Sequence, residues 1–159
     1  MTANFRVAAL PAAELDRIRA RGTDDFGNPL IVTVQDDEGG RPLRCCLQEA
    51  SVGARVALIA YRPSAIGGAY AEVGPIFIHA DPCPGYDTHG EYPPGFRHRQ
   101  QLLRAYDADG SAVANHITEG SDAEAAITGL FSRSDVAFLH SRNVLAGCYM
   151  FAVSRPATA

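Results

Sequence analysis

Lysine is absent from this chain. All fourteen of its basic residues are arginine, so no ε-amine is available for a Schiff base, for pyridoxal phosphate or for the lysine of a phosphate-binding P-loop. No basic segment leading into an apolar core stands at the N-terminus, and no apolar run approaches the roughly 20 residues that a membrane-spanning helix needs. The expected partners therefore exclude a membrane, and the expected location is the cytoplasm. Four cysteines, Cys45, Cys46, Cys83 and Cys148, show no C-x-x-C spacing. That removes zinc ribbons and thioredoxin-type motifs, and in a reducing compartment free thiols are the default. Neither Gly39-Gly40 nor Gly67-Gly68 fits a dinucleotide or Walker loop, so no nucleotide motif is present. A formal charge of −4 and a pI near 5.7 give nucleic acid no electrostatic footing.

What the chain does contain is ordinary globular composition, 47% hydrophobic and 20% charged over 159 residues, which suits one domain with its own core. Residues 5–10 read as a short strand. Pro11 then opens a helix over about 11–21 with Leu15 and Ile18 on one face, and Gly22 stops it. LIVTVQ and PLRCCL flank the turn cluster DDEGG and predict a hairpin of two strands. RVALIAY (55–61) is a further strand, as is 71–79, whose alternation sets Phe77 and His79 against Ile76 and Ile78. Asp107-Ala-Asp-Gly110 between QLLRAY and SAVANHIT is a second hairpin signal. Ser121-x-x-Glu124 reads as a capping box ahead of a helix over 122–133. Residues 136–142 and 148–154 read as two more strands, with Val136, Phe138, His140 and Arg142 on one face. A frayed tail starts at 156. Strands outnumber helices and the helices are far apart, which predicts a single α+β domain with a mainly antiparallel sheet.

Reactive side chains gather in residues 74–106, on and beside a Pro- and Gly-broken loop over 81–100 that is suited to a functional or docking role. His79 is a candidate acid, base or metal ligand. Cys83, held between two prolines, is a candidate nucleophile. His140 is a third candidate catalytic group, and Arg142 on the same strand face suits a bound carboxylate or phosphate. Tyr86 and Arg99 are further candidate substrate contacts. A metal would draw its ligands from His79, Cys83, His89, His98, His140 and Cys148. Read as strand neighbours, Cys45 and Cys46 face opposite sides and make a poor pair for one ion.

In GPIFIHADPC, LLRAYDADG and LHSRNVLAGCYMFAVSR the chain resembles an uncharacterised bacterial family, domain of unknown function 1203, from about residue 28 onward. The resemblance carries no activity, substrate or cofactor. It implies a cysteine where this chain has Leu43, a departure that weakens a site built on Cys45 and Cys46. The leading expectation is one pocket joining His79–Cys83 to His140–Arg142 and taking a small anionic molecule by acid–base or thiol chemistry. The alternatives are a non-catalytic binding or assembly module and a zinc or iron metalloprotein. Homo-oligomerisation, substrate and reaction type are left open.

Overall fold

The computed structural model describes residues 4–63, 66–87 and 90–156. His89 and the tail beyond Pro156 lie outside them. Among the described residues ten strands and two α-helices form two five-stranded sheets, and only one strand pair is parallel. This is the expected single α+β domain with mainly antiparallel pairing.

The first sheet contains β1 (Arg6–Ala8), β7 (Gln101–Tyr106), β8 (Ala112–Thr118), β9 (Phe138–Asn143) and β10 (Tyr149–Ser154). Its order is β1-β10-β9-β7-β8. The β7–β8 hairpin turns at the foreseen place, where Gly110 takes φ +82° and Asp107 Oδ1 accepts the N–H groups of Asp109 and Ser111. Helix α2 (Ala123–Phe131) buries Ala123, Ile127 and Phe131 against Leu103, Ala105, Leu139 and Phe151. Its capping box does not form. The Asp122 N-cap makes no side-chain bond, and the Glu124 carboxylate instead accepts the Tyr92 N–H and the Arg97 guanidinium.

The second sheet contains β2 (Ile31–Val34), β3 (Pro42–Leu43), β4 (Gln48–Glu49), β5 (Arg55–Tyr61) and β6 (Gly74–His79), in the order β2-β5-β6-β3-β4. Here the expected hairpin is corrected. β2 pairs with β5, while β3 turns back at once into β4 and lies parallel to β6, with Leu43 beside Phe77. The Gln35 amide donates to Asp37 and to the Gly39 carbonyl, so DDEGG is tied down as a loop and is no hairpin turn. On β6 the alternation holds, with Ile76 and Ile78 buried and Phe77 and His79 half-buried. Helix α1 (Ala12–Arg21) closes this core with Leu15 and Ile18 and stops at Gly22, whose φ is +76°.

His140 sits in an aromatic row. Its ring lies 5.0 Å from Tyr106, 5.3 Å from Phe138 and edge-on to Tyr149 at 4.9 Å. It is 2% exposed and its Nδ1 makes no hydrogen bond among the described residues. Burial, followed by the Arg142 and Arg104 guanidiniums, pushes its pKa down to about 3.

Two predictions follow from this packing. Ile127→Ala opens a cavity under α2 and is expected to cost about 2–5 kcal/mol in urea unfolding. His140 is neutral when folded, whereas the unfolded chain takes up its proton near the ordinary value of 6.5. Its contribution to stability is therefore present above pH 6.5 and is lost as pH falls toward 3, by up to about 1.4 kcal/mol per pH unit. His140→Phe keeps the aromatic row and is expected to flatten that slope. Equal slopes for the two proteins across this window would contradict the assignment.

Candidate metal centre

Leu43 ends β3 and Gln48 opposite it begins β4, leaving only Arg44, Cys45, Cys46 and Leu47 to reverse the chain. The turn is tight enough to put Leu47 in the left-handed region at φ +57°, with its N–H donating to the Leu43 carbonyl at 3.0 Å. Strand alternation does not apply in a turn. Two consecutive side chains can converge, and Cys45 and Cys46 do.

They meet the end of β6. The Sγ atoms of Cys45 and Cys46 stand 3.4 and 3.8 Å from His79 Nδ1. Cys83, four residues further on, brings in a third sulfur. All four donor atoms lie within 4.8 Å of one another. A tetrahedral zinc ion with Zn–S near 2.3 Å and Zn–N near 2.0–2.1 Å sets sulfur about 3.6 Å from nitrogen and about 3.8 Å from sulfur. The two sulfur–nitrogen distances straddle that figure.

The surroundings hold these ligands in place. His79 donates its backbone N–H to Cys45 Sγ at 3.3 Å, and its carbonyl accepts Arg19 Nε from α1 at 3.0 Å. Gly85, at φ +85°, donates its N–H to Cys83 Sγ at 3.5 Å. The Arg44 N–H donates to the Phe77 carbonyl, and the Arg44 carbonyl accepts the Leu10 N–H. On the far side, the single-turn helix Pro94–Phe96 packs so closely that a Cβ on Gly95 would stand 2.7 Å from the Leu47 carbonyl oxygen. Only glycine fits there.

Electrostatically, the three thiols cannot all ionise together without a cation. A hydrogen bond from Cys46 pulls the Cys45 pKa down to about 5, against burial and with help from the His79 N–H and ring. The same hydrogen bond, burial and the Cys45 charge push Cys46 up. Burial also pushes Cys83 up, partly offset by the Gly85 N–H. One thiolate is held and two protons are retained, a balance that a divalent ion inverts by displacing them.

The structure gathers some of the expected site residues and separates others. His79 and Cys83 stand together, joined by Cys45 and Cys46, which strand periodicity had set aside. His140 and Arg142 do not join them. A cavity of about 200 Å³ runs beside Gly74 and Pro75 at the start of β6 and is lined by Tyr61, Glu72, Arg142, Cys148 and Tyr149. His79 ends that same strand, about 16 Å away at a strand's rise per residue. The single pocket expected from sequence is thus two places. Arg142 is 5% exposed, ion-paired with Glu72 and bonded to the Gly147 carbonyl. Tyr86 lines a cleft of about 210 Å³ beside Cys46 and donates its hydroxyl to the Glu91 carbonyl at 3.4 Å. Arg99 pairs with Glu49 at 2.5 Å, and His98 stands 3.3 Å from the same carboxylate. Neither contributes to the thiol cluster. Cys148 lies in the cavity, apart from the other three cysteines.

No helix among the described residues is long and apolar enough to cross a membrane. No curated protein and no solved structure matches the chain. A family model does, over residues 40–155, a span that takes in all four clustered ligands and the strands bordering the cavity. The chain belongs to the family described as protein of unknown function DUF1203.

Proposed function

We propose that this is a metalloprotein whose Cys45, Cys46, His79 and Cys83 bind one zinc ion through three thiolates and His79 Nδ1. The observation that carries the reading is the mutual approach of the four donor atoms within 4.8 Å, at sulfur–nitrogen spacings that suit tetrahedral coordination. Soft sulfur donors favour zinc or iron over magnesium or calcium. Four protein ligands leave no open position, so the ion serves structure: it clasps the β3–β4 turn to the end of β6 and anchors the start of the 81–100 loop. The N–H donors to Cys45 and Cys83 fix the orientation of those ligands. The reading goes with a cytoplasmic location, where cysteines that form no disulfide stay reduced.

Elemental analysis of freshly purified, untagged protein is expected to find about one zinc per chain. Cys46→Ser is expected to lose most of it, and a strong chelator is expected to lower the melting temperature of the wild type but not of the variant. Iron at the same stoichiometry would retain the site and change the ion. Protein that is isolated without metal and takes up no zinc or ferrous ion under reducing conditions would overturn the proposal. Gly95→Ala forces the Leu47–Gln48 backbone to move and is expected to weaken metal affinity roughly 10- to 100-fold, as measured by competition with a chromophoric chelator.

A further inference from the structure

The three clustered sulfurs are not equally placed. Cys45 is 2% exposed, and its Sγ accepts the His79 N–H at 3.3 Å. Cys46 borders the cleft of about 210 Å³ that Gly85, Tyr86, Asp87 and Glu91 also line. That cleft is several times a water molecule's share of liquid volume, which is roughly 30 Å³. Cys83 is half-buried, stands in no strand or helix, and has the exposed residues Asp81, Pro82 and Pro84 around it. Cys46 and Cys83 are thus the two sulfurs within reach of a small solute, one from the cleft and one from the loop.

They also stand where a disulfide can form. Their Sγ atoms lie within 4.8 Å of each other, and a disulfide brings two sulfurs to about 2.05 Å, a difference that rotation of the two side chains can span. The partners belong to different segments. Cys46 sits in the β3–β4 turn, held by the Leu47 backbone and the packing of Gly95, while Cys83 opens the 81–100 loop. These are the segments that a bound ion clasps. A covalent bond between Cys46 and Cys83 joins the same seam with no ion present. Oxidation-sensing cysteines are commonly accessible and set beside a second thiol that can resolve them, and this pair has both properties.

Resting on the metal-centre reading above, we propose that the cluster is a redox switch, in which a small hydroperoxide converts Cys46 and Cys83 from metal ligands into a disulfide and so releases the ion. Thiols that ligate zinc are deprotonated and need no base to act as nucleophiles. The Cys83 sulfur attacks one oxygen of the hydroperoxide. A sulfur–oxygen bond forms, the oxygen–oxygen bond breaks, and its electron pair leaves on the second oxygen, which solvent protonates. The Cys46 sulfur then attacks the Cys83 sulfur. The sulfur–sulfur bond forms, the sulfur–oxygen bond breaks, and the departing hydroxide takes a proton from solvent to give water. The two thiolates lose two electrons between them, and the hydroperoxide is reduced to water and an alcohol, or to water alone when it is hydrogen peroxide. Only Cys45 and His79 remain as ligands, too few for a closed tetrahedral site.

The test uses the full chain as purified, with its zinc, and hydrogen peroxide as the probe. One aliquot is unfolded in a chromophoric chelator without oxidant, which counts the zinc bound at the start. The rest receives about one equivalent of peroxide with the chelator present. The expected result is release of about one zinc per chain, loss of two of the four free thiols, and a Cys46–Cys83 disulfide in the unreduced peptide map. Dithiothreitol and added zinc are expected to restore the starting state. The oxidised, metal-free chain is expected to melt above the chain stripped by chelator under reducing conditions, because only the former keeps the turn bonded to the loop. Cys148→Ser is expected to release zinc at the wild-type rate, since Cys148 stands apart from the cluster. Zinc retained while thiols are oxidised, zinc released with no disulfide formed, or a disulfide that includes Cys45 or Cys148 would overturn the switch and leave the metal centre standing. An unoxidised aliquot that holds no metal and takes up none would overturn both.

Discussion

Four residues reverse the chain between β3 and β4, and much of the second sheet is arranged around that reversal. Arg44 sends its N–H to β6, takes the Leu10 N–H on its carbonyl and extends its guanidinium to the β10 backbone. Cys45 and Cys46 turn onto His79. Leu47, 1% exposed, holds a left-handed backbone that a leucine leaves at a gain of about 1–2 kcal/mol when nothing opposes it. Core packing, the Leu43 carbonyl and the close approach of Gly95 together oppose it here. A short turn therefore fixes the cysteine pair, one end of the β3–β6 pairing and the contact between the two sheets.

That turn gathers features which, taken singly, destabilise a protein. A buried guanidinium with no carboxylate bonded to it among the described residues, three crowded thiols and a strained leucine occur within four residues and their contacts. Natural sequences tolerate such violations where function requires them and compensate elsewhere. The compensation is visible in ordinary cores on either side. Ile76, Ile78, Leu15 and Ile18 pack below the turn, and Phe96, Tyr92 and Phe151 stack in the neighbouring cluster, the last two edge to face.

Periodicity and turn chemistry made a large part of this fold legible. Residues 55–61, the hairpin around Asp107–Gly110 and both helices to within a residue or two follow from local pattern, because each element's own side chains decide its period. The β3–β4 segment does not. Six residues of strand-like composition were read as one strand, and the evidence that they turn lies in long-range pairing: Leu43 beside Phe77, and Gly95 against Leu47. The capping box at Ser121 failed for the same reason, since Glu124 is taken by Tyr92 and Arg97 from another part of the chain. The site shows this limit most sharply. His79 and Cys83 drew notice through their position at a strand end, whereas Cys45 and Cys46 were set aside by an alternation rule that holds only in strands. His140 and Arg142 share a face as foreseen, yet that face holds aromatic rings and a partly buried ion pair, and only the register of β6 shows how far it lies from His79.

The second sheet is assembled from one stretch of chain, residues 31–79, with Cys83 just beyond it. The first is not: β1 lies beside β10, with Arg6 opposite Ser154. A chain leaving the ribosome can thus close the second sheet and its thiol cluster while β7 to β10 are still unmade. The N-terminal strand must wait, unpaired, until residue 154 has emerged. Contacts local in sequence form fast and distant ones slowly, so the same topology that lets the cysteine turn mature early makes the β1–β10 edge the last seam of the molecule to be sewn.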